Sequence, residues 1–170
     1  MGVHDHRQSS PAIVPCAIVT LSDTRTEETD KSGKLIKDLL TETNHKCVDY
    51  QILHDDYHSI QNIIKDLSKR EDVHCILLNG GTGISVRDTT YEAVRDLLEK
   101  EMPGFGEIFR MLSYQKDIGS AAILSRATAG IYQNTAIFSM PGSSGAVKLA
   151  MKDIILPELS HIRHEIEKQL

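Results

Sequence analysis

Cys75-Ile76-Leu77-Leu78-Asn79-Gly80-Gly81-Thr82-Gly83 decides the fold. With Val73 in front of it, the unbroken apolar run reads as a strand covered on both faces, as in a parallel sheet. It ends in a loop of three glycines. The pattern occurs twice more: Ala17-Ile18-Val19-Thr20-Leu21 runs into Ser22-Asp23, and Ala136-Ile137-Phe138-Ser139-Met140 runs into Pro141-Gly142-Ser143-Ser144-Gly145. In an open α/β sheet, ligands bind outside the carboxyl ends of the strands. Small residues there admit a close backbone approach, and helix-start N–H groups attract anions. Three such loops on one edge describe a pocket for something phosphorylated.

The segments between these strands carry helical spacing. Leu35, Ile36, Leu39 and Leu40 share a face behind Asp30 or Ser32 as N-cap. A second strand is expected near 47–53, followed by a helix carrying Ile60, Ile63, Ile64 and Leu67. Helices are expected over 91–99 and 105–114, with Pro103-Gly104 breaking the pattern between them, and a shorter helical piece over 120–124. Segments 126–132 and 135–140 flank Gln133-Asn134 as a β-hairpin, and helical stretches close the chain over 147–155 and 158–168. Strands alternating with helices predict a three-layer α/β/α sandwich with a mostly parallel sheet and one antiparallel strand.

A chain of 170 residues fits one domain, expected over residues 13–170 behind a polar arm of residues 1–12. The net charge of -5, with no Lys/Arg run, argues against a nucleic-acid surface. No apolar stretch is long enough to cross a bilayer, and nothing in the first ten residues resembles a signal peptide, so a cytoplasmic protein is expected. Cys16, Cys47 and Cys75 lack metal-type spacing and read as reduced core thiols.

The Gly80–Gly83 loop is neither a Walker loop nor a dinucleotide fingerprint, and alone it reads as a tight turn. Arg87-Asp88 just beyond it adds an arginine and a carboxylate, which a turn does not require. Asp88 and Asp55 follow apolar strands closely, so both are expected at the same sheet edge, although each could equally cap a helix; Asp56 stands beside Asp55 as a possible substitute. A carboxylate about 4 Å from a phosphate oxygen is repelled by roughly 4 kcal/mol at an effective dielectric of 20. A cation between them removes the conflict, and Mg²⁺ commonly takes one or two carboxylates plus substrate phosphates. Glu107 and Arg110 are spaced for a helix-surface ion pair, and His74, His161 and His164 read as structural or surface residues.

Thr20-Leu21-Ser22-Asp23, Asp30-x-Ser32-Gly33, Gly80-Gly81-Thr82-Gly83, Arg87-Asp88, Glu101-Met102-Pro103-Gly104-Phe105-Gly106-Glu107, Leu124-Ser125-Arg126 and Pro141-Gly142-Ser143 occur in that order. As an ordered set they resemble the molybdopterin adenylyltransferase family, and most of all its MoaB branch. The resemblance implies an enzyme of molybdenum cofactor synthesis that uses Mg²⁺ and ATP to adenylylate the terminal phosphate of molybdopterin, releasing pyrophosphate. It puts the functional, metal-binding aspartates on Asp55 and Asp88. Substrate contacts fall on Ser22, Asp23, Gly80, Gly81, Thr82, Gly83, Arg87, Gly142, Ser143 and Ser144, and a homotrimer or homohexamer is implied. His54 and Tyr91 replace prolines common in the family, and the loss at Tyr91 predicts a looser helix start after Asp88. Ser144-Gly145 lacks a lysine found in eukaryotic members, a charge for which Lys148 or Arg87 could substitute. Alternative readings are a non-catalytic molybdopterin-binding or carrier protein and, further off, an interaction scaffold.

Overall fold

The computed structural model describes residues 13–168, so the expected arm over 1–12 lies outside the described residues. Strands β1 (Pro15–Leu21), β2 (Lys46–Leu53), β3 (Cys75–Asn79), β4 (Lys100–Glu101), β5 (Thr128–Tyr132) and β6 (Thr135–Met140) form one sheet in the order β2-β1-β3-β6-β5-β4. The β2-β1-β3-β6 block is parallel, whereas β5 pairs antiparallel with both β6 and β4. Only β5 is therefore reversed, as expected. Its turn with β6 holds Gln133 and Asn134 at φ 45° and 61°, a left-handed pair suited to a two-residue hairpin.

Side chains alternate between two layers. Cys16, Ile18, Cys75, Leu77, Ala136 and Phe138 face α1 (Lys31–Glu42), α4 (Pro103–Lys116), α5 (Ser144–Ala150) and α6 (Leu156–Glu167). Ala17, Val19, Leu21, Ile76, Leu78 and Ile137 face α2 (Tyr57–Ser68) and α3 (Thr90–Arg95). Both faces are covered, which is why the central strands are apolar throughout. The chain goes out from β1 to β2 and returns past it to β3, so the carboxyl ends of β1 and β3 form the topological switch point where such sheets bind ligands.

Local differences from the expected elements have plain causes. The helix expected over 91–99 stops at Arg95, and the chain instead adds the two-residue edge strand β4. Pro103 starts α4 rather than breaking it, since an N1 proline gives up only an N–H that has no intrahelical partner. The last two helices are joined by a π turn, Met151–Ile155, ahead of Pro157. That wider turn relieves the clash a proline ring makes with the carbonyl four residues back. Arg110 does not pair with Glu107: its Nη1 donates to the Ala127 carbonyl at 3.1 Å and, more weakly, to that of Ser125.

Cys47, Cys16 and Cys75 stand in register across β2, β1 and β3 as free thiols. The adjacent Cys75 thiol and burial push Cys16 well up, and burial raises Cys47, as expected for unreactive thiols. Among the described residues no helix is long and apolar enough to cross a membrane.

Candidate functional site

Gly80 and Gly81 take φ of +112° and +65°, which side chains rarely adopt, and so turn the chain sharply at the end of β3. A Cβ on Gly81 would lie 2.3 Å from Asp55 Oδ2 and 2.2 Å from Thr90 Oγ1. Glycine is therefore what lets the Asp55 carboxylate reach the loop. Asp55 Oδ1 accepts hydrogen bonds from Thr89 Oγ1 at 2.8 Å, Thr89 N at 3.3 Å and Thr90 Oγ1 at 3.4 Å. Among the described residues, the amides of Gly81, Thr82 and Gly83 donate no hydrogen bond within the protein, although Thr82 is buried.

Asp88 closes the other end of the loop. Its Oδ2 accepts from Ser85 N at 2.9 Å, and a Cβ on Gly83 would lie 2.8 Å from the same oxygen. Asp55 and Asp88 are close enough for Asp88 to disfavour ionisation of Asp55. Neither carboxylate caps a helix. That role falls to Asp56, which accepts from Ser59 N at the start of α2 and so does not stand in for Asp55. Helix α3 has no cap from its own N-cap residue, Thr89, whose amide and hydroxyl donate to Asp55 instead. Arg87 is exposed, and its guanidinium makes no ion pair or hydrogen bond among the described residues.

The β1 and β6 loops are joined by a residue that the sequence reading missed. Arg25 Nη2 donates to the Gly142 carbonyl at 2.9 Å, and Nη1 donates to Ser32 Oγ at 2.5 Å beside the buried Asp30. Asp30 caps α1 through Gly33 N and accepts from Tyr50 Oη at 2.5 Å. Burial alone would raise Asp30, but hydrogen bonds from Thr20, Tyr50 and Gly33 and the charge of Arg25 outweigh it and lower the net value. Ser22 Oγ accepts from Arg25 N, while Asp23 Oδ1 lies 3.1 Å from His54 Nδ1 and accepts from Asp55 N at 3.4 Å. Ser143 caps α5 through Ala146 N, and Ser144 is exposed in its first turn. Lys148 lines a different concavity with Lys116, Asp117 and Gly145, so the cation beside Gly142 is Arg25.

The family model described as "Probable molybdopterin binding domain" matches residues 17–161. The chain belongs to this molybdopterin-binding domain family. It is 62% identical over 168 residues to molybdenum cofactor biosynthesis protein B of Halalkalibacterium halodurans, covering 99% of each chain. A crystal structure of a molybdenum cofactor biosynthesis protein B superimposes with a TM-score of 0.92 at 57% identity, over 95% of this chain and 100% of that one. The tungsten cofactor synthesizing protein MoaB of Pyrococcus furiosus gives 0.82 at 36% identity, over 92% of this chain and 99% of that one.

In this molybdopterin-binding domain two concavities are lined by neighbours of the carboxylates, His54 beside Asp55 in one and Arg126 on the Asp88 carbonyl in the other, and by neither carboxylate itself. One, of about 330 Å³, is lined by Ser22, Asp23, Arg25 and His54; the other, of about 340 Å³, by Tyr91, Glu101, Glu107, Arg110 and Arg126. The carboxylates themselves fit a hard divalent cation. Asp55 Oδ2 and Asp88 Oδ1 are uncommitted, and neither residue has a basic partner among the described residues. Among those residues no group of three or more His, Cys, Asp or Glu could hold a metal. Water, and substrate phosphates once bound, would therefore complete the coordination, as is usual for Mg²⁺.

The same lack of a counter-charge has a consequence for stability. Burial raises Asp55 first and Asp88 adds to it, against the hydrogen bonds from Thr89 and Thr90. A carboxyl raised in the folded state weakens the fold as pH climbs through its unfolded value. Asp55→Asn keeps an acceptor for Thr89 and removes the charge. The metal-free variant should melt above wild type at neutral pH, with the gap closing near pH 4. Calorimetry in EDTA checks this, and a lower melting temperature at both pH values would show that the carboxylate is not strained.

Proposed function

We propose that the protein catalyses Mg²⁺- and ATP-dependent adenylylation of molybdopterin. The observation that carries this reading is the convergence of Asp55 and Asp88, without a basic partner among the described residues, on a glycine loop whose Gly81, Thr82 and Gly83 amides donate to none of those residues. An oxygen of the terminal phosphate of molybdopterin attacks the α-phosphorus of ATP. The new P–O bond forms as the bond from that phosphorus to the β-phosphate bridging oxygen breaks, and pyrophosphate leaves. Asp55 and Asp88 would hold Mg²⁺, which supplies charge neutralisation on the reacting phosphates. The free amides of Gly81, Thr82 and Gly83 donate to phosphate oxygens, and Arg87 offers a guanidinium to the same anions. Ser22, Asp23, Gly80, Gly142, Ser143 and Ser144 shape the rest of the edge. The test is mass-spectrometric detection of adenylylated molybdopterin after incubating the pure protein with molybdopterin and Mg-ATP. Molybdopterin retained on the protein without product would favour the carrier reading.

We also infer a homo-oligomer. The outer side of α4 and the turn that follows leave Ile108, Met111, Tyr114, Ile118, Ile123 and Leu124 exposed, Ile123 by 80%. Apolar patches of this kind mark contact surfaces, and light scattering after size exclusion should give a trimer or hexamer. A monomer at micromolar concentration would overturn this. The three free thiols fit a reducing compartment, and the cytoplasm is the place of work we propose.

A further inference from the structure

The loop from Gly83 to Asp88 is poorly anchored by its own residues. Between its ends Ile84 and Val86 project into solvent, Val86 by 100%, and Arg87 is exposed. Among the described residues, Asp88 N and Oδ2 bond only to Ser85, inside the same loop. Both ends are held by one residue from a distant part of the chain. Arg126 Nε donates to the Gly83 carbonyl at 2.8 Å and Nη2 donates to the Asp88 carbonyl at 2.9 Å. Its remaining nitrogen, Nη1, pairs with Glu92, and the guanidinium lies 5.1 Å over the Tyr91 ring. The backbone amide of Arg126 also donates to the Thr82 carbonyl at 2.9 Å. Asp55 is fixed separately, by Thr89 and Thr90.

We propose that Arg126 is the positioning residue of Asp88: by gripping the Gly83 and Asp88 carbonyls together it sets where the Asp88 carboxylate stands relative to Asp55. The inference rests on reading Asp55 and Asp88 as the pair that takes a divalent cation. A planar guanidinium suits the task because its fork reaches two carbonyls at once, whereas a lysine offers a single point charge. Residues that orient metal ligands without touching the metal typically cost 10–100-fold in affinity when removed.

The experiment is Mn²⁺ titration of the full-length protein, with the unbound ion read by EPR, on wild type, Asp88→Asn, Arg126→Gln, Arg126→Lys and Glu92→Gln. Circular dichroism at the same temperature checks that each variant is folded. Asp88→Asn should lose binding, and Arg126→Gln should weaken it by about 10–100-fold. Arg126→Lys should fall between Arg126→Gln and wild type, because it can keep one carbonyl bond. Glu92→Gln loses the ion pair but keeps both carbonyl bonds, so it should bind Mn²⁺ as wild type does. A role in stability alone would lower melting temperatures and leave the Mn²⁺ midpoints of the folded variants unchanged. If Arg126→Gln does not fold, Arg126→Lys decides. Wild-type binding by the folded Arg126 variants, with Asp88→Asn impaired, overturns this inference alone. Wild-type binding by Asp88→Asn removes the metal pair and this inference with it.

Discussion

Asp88→Asn is expected to lower adenylylation of molybdopterin by about 10²–10³-fold or more while leaving the fold and the oligomer intact. Shape survives because the amide oxygen can still accept from Ser85 N, the one hydrogen bond that the side chain makes among the described residues. Charge does not survive. A unit charge about 4 Å from a cation contributes on the order of 4 kcal/mol at an effective dielectric of 20, which corresponds to roughly three decades in rate. Asp55→Asn should remove activity to a similar extent by the same loss, even as it relieves the metal-free protein. Asp56→Asn is the control, because Asp56 is occupied in capping α2 and should have no part in turnover. Product formation is measured by mass spectrometry, and oligomer size by light scattering. An Asp88→Asn protein that adenylylates at the wild-type rate would make the assignment of the carboxylate pair wrong.

Those two aspartates were legible in the sequence because Asp88 lies one loop beyond the apolar run of β3 and Asp55 two residues beyond β2, although β2 itself mixes polar and apolar residues. The glycines were legible for the same reason: Gly80 and Gly81 stand where the chain must turn, and a turn of this hand requires glycine. Arg25 was not, and Arg126 stood out only as part of a matching motif, with no role attached. Arg25 acts on Gly142, 117 residues away, and Arg126 on Gly83 and Asp88, 43 and 38 residues away. Each uses backbone carbonyls as partners, and a carbonyl leaves no trace in residue type. Only the topology that brings β6 beside β3 reveals such contacts. Edge strand β4 escaped for a different reason, since two residues cannot show a period. Beyond the resemblance, what separates Asp55 from Asp56 is the donors each receives in the structure. Asp56 meets an amide in the first turn of α2, whereas Asp55 meets hydroxyls from the start of α3.

Gly80→Ala should produce the larger structural effect. Gly80 stands where the three loops meet: its amide donates to the Met140 carbonyl at 3.0 Å, and a Cβ on Gly142 would lie 3.3 Å from its Cα. A Cβ on Gly80 itself would fall 2.2 Å from the Leu21 carbonyl oxygen, which belongs to the backbone of β1 and cannot rotate away. Its φ of +112° adds backbone strain that any side chain would bear. Strain of this kind costs about 1–3 kcal/mol and overpacking a further 1–3 kcal/mol. At about 2–4 °C per kcal/mol for a chain of this size, the melting temperature should drop by roughly 4–24 °C. Gly104 in the first turn of α4 is the comparison, because a Cβ there meets nothing within 4 Å and Gly104→Ala should melt close to wild type. Relief of the clash has to come from parting β1 and β3 at their carboxyl ends. That movement carries Gly81 away from Asp55, and a misplacement of about 1 Å can cost 10²-fold in rate. Activity of Gly80→Ala should therefore be lost even at temperatures where the variant is fully folded. If Gly80→Ala melts with Gly104→Ala and retains turnover, the junction of the three loops is not what holds the site.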